Sequence, residues 1–327
     1  MKNQSKIIIS FLAVLLSLSN LIGQTKLGQT GFQFLSVNTD ARATAMGNAY
    51  TTVTGKSSSL FYNPAGMADM SGLVDVSFST MEWIANINYN ALTLSFSPER
   101  GQYGVFGISV TTIDYGNDIH GTQVWGNNDG FIETGLIDAN AIAIGFGYAR
   151  SLTEKFSVGG QVKWVSQHLG ESVIPGEGVK KNLADVLAFD FGTIFKTGFK
   201  SLAIGMSVRN FSEEIKFEKE SLQLPLTFKI GVSANVNDYF EFLPESQSLL
   251  MSVDAVHPRS FDEYLNIGLE YTPIEMAALR FGYISAQDEQ GVSFGAGLNW
   301  EGLGIDYSFT PFGVFDSVQR YSISYSY

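Results

Sequence analysis

Cysteine is absent from this 327-residue sequence, which excludes disulfide staples, thiolate-held zinc, iron–sulfur clusters and thiol nucleophiles. Positive charge is scarce: 20 Lys and Arg stand against 32 Asp and Glu, a formal net charge of −12. A nucleic-acid binder needs a basic footprint to displace counterions from phosphates, so nucleic acid is excluded as a partner. Charge of either sign is thin, at 16% of residues. Long apolar runs are missing beyond the first residues; the best later candidate, 139–149, is broken by Asn140, Gly145 and Gly147. A transmembrane helix needs about 20 consecutive apolar residues, and no such run follows. The chain is instead rich in glycine and aromatics, with 34 Gly, 25 Phe, 14 Tyr and 4 Trp. Few charges and many aromatics imply a surface much of which faces something other than water.

The first residues predict export. Lys2 and Lys6 precede an apolar run over 7–18, followed by Asn20 and the small Gly23. A positive start, a short apolar run and a small residue at the cut are the order of a secretory signal. The run is too short for a membrane anchor, and cleavage is expected between Gly23 and Gln24.

From Val74 onward large apolar residues alternate with small or polar ones. Ile142, Ile144, Phe146 and Tyr148 interleave with Ala143, Gly145, Gly147 and Ala149. A period of two puts each set on one face of a strand. The segments number roughly fourteen: 74–79, 89–96, 103–112, 139–149, 156–168, 184–195, 201–210, 226–236, 248–256, 264–272, 276–284, 291–300, 303–309 and 319–327. An even count suits a bacterial single-chain membrane barrel, with short periplasmic turns and long outer loops. Here 113–138, 169–183, 211–225 and 310–318 read as the outer loops. Tyr148, Phe156, Phe195, Tyr271, Trp300 and Tyr327 fall where a periplasmic aromatic girdle belongs. The second face carries Gly, Ala and Ser with scattered charges: Lys163, Asp190, Arg209, Lys229, Asp254, Glu270, Arg280, Asp306 and Arg320. A soluble sandwich would show dense surface charge there, so these nine are expected to face a narrow lumen and pair across it. The predicted fold is an all-β, 14-stranded antiparallel transmembrane barrel spanning 74–327, with 1–23 as signal peptide and 24–73 as an N-terminal hatch containing short helices.

The segment before the barrel does not alternate. Asp40 can cap a short helix, and Asn63-Pro64 is a turn signal. Phe32, Phe34, Leu60, Phe61 and Tyr62 are too apolar for a solvated tail, so the segment is expected to plug the lumen. GFQFLSVNTDARATAMGNAY followed by SSSLFYNPAGMA resembles the N-terminal signature of the PorV/PorQ family of outer-membrane proteins. The resemblance continues through TMEWIANINY, YARSLTEKFSVGGQVKWV, TGFKSLAIGMSVRNFS and VHPRSFDEYLNIGLEYTP. That family is similar to the FadL group of fourteen-stranded barrels, whose lumenal hatch carries an Asn-Pro-Ala motif matched here by Asn63, Pro64 and Ala65. The resemblance makes Asp40, Arg42, Met46, Gly47, Tyr62, Asn63, Pro64 and Gly66 the candidate hatch residues.

Two functions are implied by the resemblance. The first is a non-enzymatic part of type IX protein secretion, docking exported cargo or a large translocon at the outer loops. The alternative is a FadL-like transporter of hydrophobic compounds. Trp83, Trp125, Phe131 and Phe211 are candidate loop contacts, since exposed aromatics often mark contact sites; their other reading is burial or a place in the outer girdle. Among chemical motifs, no phosphate loop or paired carboxylates occur, and Gly291-Val292-Ser293-Phe294-Gly295, which matches G-x-S-x-G, lies in an alternating strand segment rather than at a strand-to-helix turn. His120, His168 and His257 have no metal-ligand spacing, so neither catalysis nor a cofactor is expected. Outer-membrane lipid is the expected surrounding.

Overall fold

The computed structural model describes residues 30–116, 119–174, 178–217, 220–240, 243–286 and 290–327. The signal segment 1–23, residues 24–29 and the loop residues Asn117 and Asp118 lie outside the described residues.

Fourteen antiparallel strands close into one barrel. They are β1 (Val74–Glu82), β2 (Asn88–Phe96), β3 (Val105–Asp114), β4 (Ala139–Ser151), β5 (Phe156–Ile174), β6 (Gly178–Lys196) and β7 (Ala203–Ser212) in the first half. The second half is β8 (Thr227–Asn235), β9 (Ser248–Pro258), β10 (Tyr264–Ile274), β11 (Ala277–Ile284), β12 (Val292–Trp300), β13 (Leu303–Pro311) and β14 (Ser317–Ser326). Each strand pairs with its neighbour in the chain, and β1 pairs with β14 from Asp75↔Ser326 to Met81↔Arg320. Among the described residues, closure leaves the barrel itself without an edge strand, which a hydrocarbon surrounding demands.

Alternation sorts the side chains. On β4 the inward set is Ala141, Ala143, Gly145, Gly147 and Ala149, while Ile144, Phe146 and Tyr148 are exposed outside. Phe78, Leu94, Trp164, Phe191, Met206 and Ile305 continue the same exposed apolar belt around the wall. A continuous belt of this kind on a closed barrel is a lipid-facing surface. Among the described residues no helix is long and apolar enough to cross a membrane.

The two ends differ. At one end most links are short, 236–247 being the exception: Glu301-Gly302 joins β12 to β13, with both residues at positive φ (50° and 88°), as a type I′ hairpin turn requires. The other end bears longer connections and two extra hairpins, His120–Val124 with Phe131–Leu136 and Ile215–Phe217 with Glu220–Leu222. The expectation of a loop over 169–183 is corrected here, because β5 and β6 run on to Ile174 and from Gly178, 19 residues each. Backbone pairing continues past the apolar belt without needing an apolar face, so polarity alone misplaced the strand ends.

The segment 30–72 threads the lumen from the loop end to the turn end. Thr30 bridges Gln223 of a loop-end connection. Leu73 N and Val74 N donate to Tyr327 O at 2.5 and 3.0 Å at the other end. Between them lie a one-turn helix, α1 (Ala41–Ala45), and the 3-10 turns Gln33–Ser36, Ser57–Phe61 and Pro64–Asp69.

Candidate functional site: a plugged lumen

The hatch folds from short local signals. Asp40 caps α1, its Oδ1 accepting from Ala43 N at 2.8 Å. Asn63 caps the turn that Pro64 opens, and its Oδ1 accepts from Ala65 N at 3.1 Å. The Asn63 amide also donates to Thr51 O at 2.7 Å and to Thr193 O of β6 at 3.2 Å, tying two hatch strands and the wall together. Small residues on the inner wall make the seat. A Cβ at Gly192 would collide with Asn63 Oδ1, and one at Gly159 would collide with the Pro64–Ala65 backbone. Gly47 has φ +61° and passes so close to β11 that a Cβ would stand 2.8 Å from Tyr283 N. Met46 packs on Gly268, and Gly66 lies against Ser59 and Val53 O, where a side chain has no room. Tyr62 is buried against Tyr50, ring centroids 5.0 Å apart.

Charges then pin the plug. Arg42 donates to both oxygens of Glu270 at 2.8 and 2.7 Å. Glu270 also takes Arg280 Nε at 2.5 Å, and Arg280 reaches Asp306 at 2.7 Å. Asp254 accepts from Tyr50 N, Thr51 N and Thr51 Oγ1 at 3.0, 3.1 and 2.6 Å. Lys163 pairs with Asp190 at 2.7 Å, next to a bulge where Asn210 takes φ +60°. Pairing across the lumen is not general, however. Lys229 donates to Asn48 O at 3.4 Å; Arg320 bonds Asn38 O at 3.1 Å and Thr310 Oγ1 at 3.2 Å. The Arg209 guanidinium stands 6.0 Å from the Tyr62 ring centre, and among the described residues its Nε has no hydrogen-bond partner. These three wall cations meet carbonyls and rings of the hatch, because the plug occupies the space across which they would have paired. Sequence reasoning also missed Asp75, which accepts from Ser57 N at 2.7 Å and faces Lys56 at 3.4 Å. Its place on the small-residue face of β1 was the available signal.

Above the pinned hatch, the loop-end lumen holds an apolar cluster. Phe32, Phe34 and Leu35 fill it, surrounded by Tyr89, Ile113, Val165, Leu224, Phe312 and Val318. Phe32 takes a left-handed backbone, φ 54°, with no side-chain cap on the turn that follows. A cavity of about 220 Å³ beside Leu35 is lined by Arg209, Lys229, Phe261 and Tyr264. At the turn end a polar cavity of about 170 Å³ touches Asp40, Arg42, Glu270 and Asp306. The hatch lies between them.

The candidate contact aromatics separate. Trp125 and Phe131 are exposed on the loop-end hairpin. Trp83 is not a free contact: its ring packs edge-on against Phe312 at 4.7 Å and beneath Arg320 at 5.4 Å. Phe211 is a residue of β7 rather than of a loop, because the strand runs past the bulge to Ser212.

A closed 14-stranded barrel with an N-terminal segment inside it decides the architecture. The fold is FadL-like. The toluene transporter TbuX of Ralstonia pickettii superposes with a TM-score of 0.58, covering 88% of this chain and 98% of its own, at 12% sequence identity. The toluene transporter TodX of Pseudomonas putida gives 0.58 over 88% and 98%, also at 12% identity. A FadL homologue from Pseudomonas aeruginosa gives 0.52 over 89% and 98%, at 12% identity. No family model matches the chain, and no curated protein matches it. Among the described residues no group of three His, Asp or Glu side chains is placed to hold a metal ion.

Proposed function

We propose that this chain is an outer-membrane barrel that admits small hydrophobic molecules through a hatch-plugged lumen. In this reading 1–23 is an export signal, 24–73 the hatch and 74–327 the barrel, with the loop end outside the cell. The apolar vestibule filled by Phe32, Phe34 and Leu35 carries the reading. Apolar pockets with few polar groups suit apolar ligands, and a small hydrocarbon taking the place of these side chains would repeat their contacts. Structures of the same fold are described as toluene transporters, which supports it further. The Arg42–Glu270–Arg280–Asp306 chain keeps the lower hatch seated, so the barrel is no open pore.

The test is uptake of radiolabelled toluene by cells expressing the full chain in a host without a hydrocarbon channel. Faster uptake than the empty vector is expected, with loss of the gain in Ile113→Asp, which places a charge in the vestibule. Uptake equal to the vector refutes the reading.

A second reading is a non-enzymatic role in type IX secretion. It rests on the PorV/PorQ-like N-terminal segment and on Trp125 and Phe131, exposed on a hairpin that forms its own sheet apart from the barrel. Mild-detergent purification from native outer membranes checks it. A stoichiometric secreted protein or very large barrel supports it; a solitary barrel counts against it.

A further inference from the structure

We propose that a groove on the outer wall, beside the β1–β14 seam, binds the sugar headgroup of a glycolipid in the loop-end leaflet. The groove encloses about 550 Å³ between two short turns, 83–87 and 312–316. Its floor is the outward row of the seam. Thr80 stands opposite both Tyr321 and Asn90, and Glu82 stands opposite Asn88. Thr80 Oγ1 donates to Asn90 Oδ1 at 2.9 Å. The hydroxyls of Tyr307 and Tyr321 both donate to Gln319 Oε1, at 3.1 and 3.0 Å, which orients the amide.

Position identifies the kind of occupant. Towards the turn end the same strands present Phe78, Leu92, Ile323 and Tyr325 to the outside, part of the lipid-facing belt. The groove continues that surface at the level where apolar side chains give way to polar ones, the height of lipid headgroups. Chemistry narrows the choice. Among the described residues the lining holds two carboxylates, Glu82 and Asp316, and three amides, Asn86, Asn88 and Gln319, with no Lys or Arg. Anionic headgroups are captured by clustered Lys and Arg, so a bare phosphate finds no partner here. Carboxylates accept from hydroxyls and amides both accept and donate, which is the set that sugar hydroxyls use. Tyr321 and Phe315, 52% and 56% exposed, add flat faces for the sugar's C–H edges. Trp83, wedged between Phe312 and Arg320, holds the first turn in place.

The inference needs the barrel to stand in an outer membrane and nothing of what crosses its lumen. The test uses the full chain in phosphatidylethanolamine nanodiscs doped with monoglucosyl diacylglycerol, whose headgroup is an uncharged sugar, or with diacylglycerol alone, read by native mass spectrometry after release. The wild type is expected to keep the sugar-bearing lipid in preference to diacylglycerol. Glu82→Ala with Gln319→Ala is expected to reduce that retention about tenfold, roughly one pairwise contact's worth of binding energy. Tyr321→Leu, which keeps an apolar outward side chain, is the second variant should the first fail to fold. Both are expected to retain toluene uptake, which separates failure here from failure of the transport reading. Equal retention of diacylglycerol, retention of phosphatidylethanolamine alone, unchanged retention in a folded variant, or loss of a bound protein instead of lipid would each overturn the proposal.

Discussion

Asn63 shows how much one hatch side chain holds. It makes three hydrogen bonds in full burial, to Ala65 N, Thr51 O and Thr193 O. Each buried bond contributes about 1 kcal/mol, and losing Asn63 takes their side-chain partner from Ala65 N and Thr51 O. Asn63→Ala is therefore expected to weaken hatch seating by about 2–3 kcal/mol. Faster amide exchange over 57–69, with unchanged exchange in the strands, is the readout. Glu270 is a harder case, since it sits between Arg42 and Arg280. Breaking a buried ion pair costs about 3–5 kcal/mol, so Glu270→Gln is expected to free α1 more than Asn63→Ala frees the lower turns. Asp40 adds a pH dependence. Burial raises its carboxyl from 3.8 to about 6, with Asp306 adding to the rise and the Ala43 bond, Arg42 and Arg280 opposing it. A raised folded value means that the seated hatch favours the proton. Its stabilisation is complete below the unfolded value of 3.8 and fades as pH climbs through about 6. The full difference is about 3 kcal/mol at most. Amide protection of α1 is thus expected to fall between about pH 4 and about pH 7 and then level off. Asp40→Asn, which still accepts from Ala43, is expected to flatten that slope.

At the scale of elements the hatch has two parts. Residues 40–72 are seated on wall glycines and pinned by charge, whereas 30–39 rest on apolar contact and a few backbone bonds, Gly31 N to Gln223 O among them. Truncating a buried Phe costs about 3–5 kcal/mol, more than so short a segment can replace. Phe32→Ala with Phe34→Ala is expected to detach the upper part alone and to raise binding of an apolar fluorophore such as N-phenyl-1-naphthylamine to the purified barrel. Binding unchanged from the wild type would show that the vestibule stays shut. Among the described residues, the two strands of the loop-end hairpin over 120–136 pair with each other and with no barrel strand. Replacing it with a short glycine-serine link is expected to leave the barrel's heat-dependent gel mobility unchanged.

For the whole molecule, closure and plugging set the electrical behaviour. The wild type is expected to show no steady conductance in a planar bilayer, and deletion of 30–70 to open a water-filled lumen, since barrel width grows with strand number and fourteen strands enclose more than their own side chains fill. The number and faces of the strands were legible in the sequence because a barrel wall, lipid outside and plug inside, imposes a strict period of two. Ile142 to Ala149 could be read residue by residue for that reason. The far ends of β5 and β6 were not legible, since pairing there lies beyond the apolar belt. The partners of Arg209, Lys229 and Arg320 were equally hidden. Parity along a strand says which way a side chain points, and nothing in it says what stands opposite. By itself the sequence determined the all-β alternation, the inward charges and a non-alternating N-terminal segment rich in small residues. Only the tertiary structure decided that this segment runs from the loop end to the turn end, fits against wall glycines and fills the vestibule with Phe32 and Phe34. Alternation is a local property carried by neighbouring residues, whereas the fit of plug to wall depends on contacts such as Arg42 with Glu270, more than two hundred residues apart, which only closure of the barrel brings together.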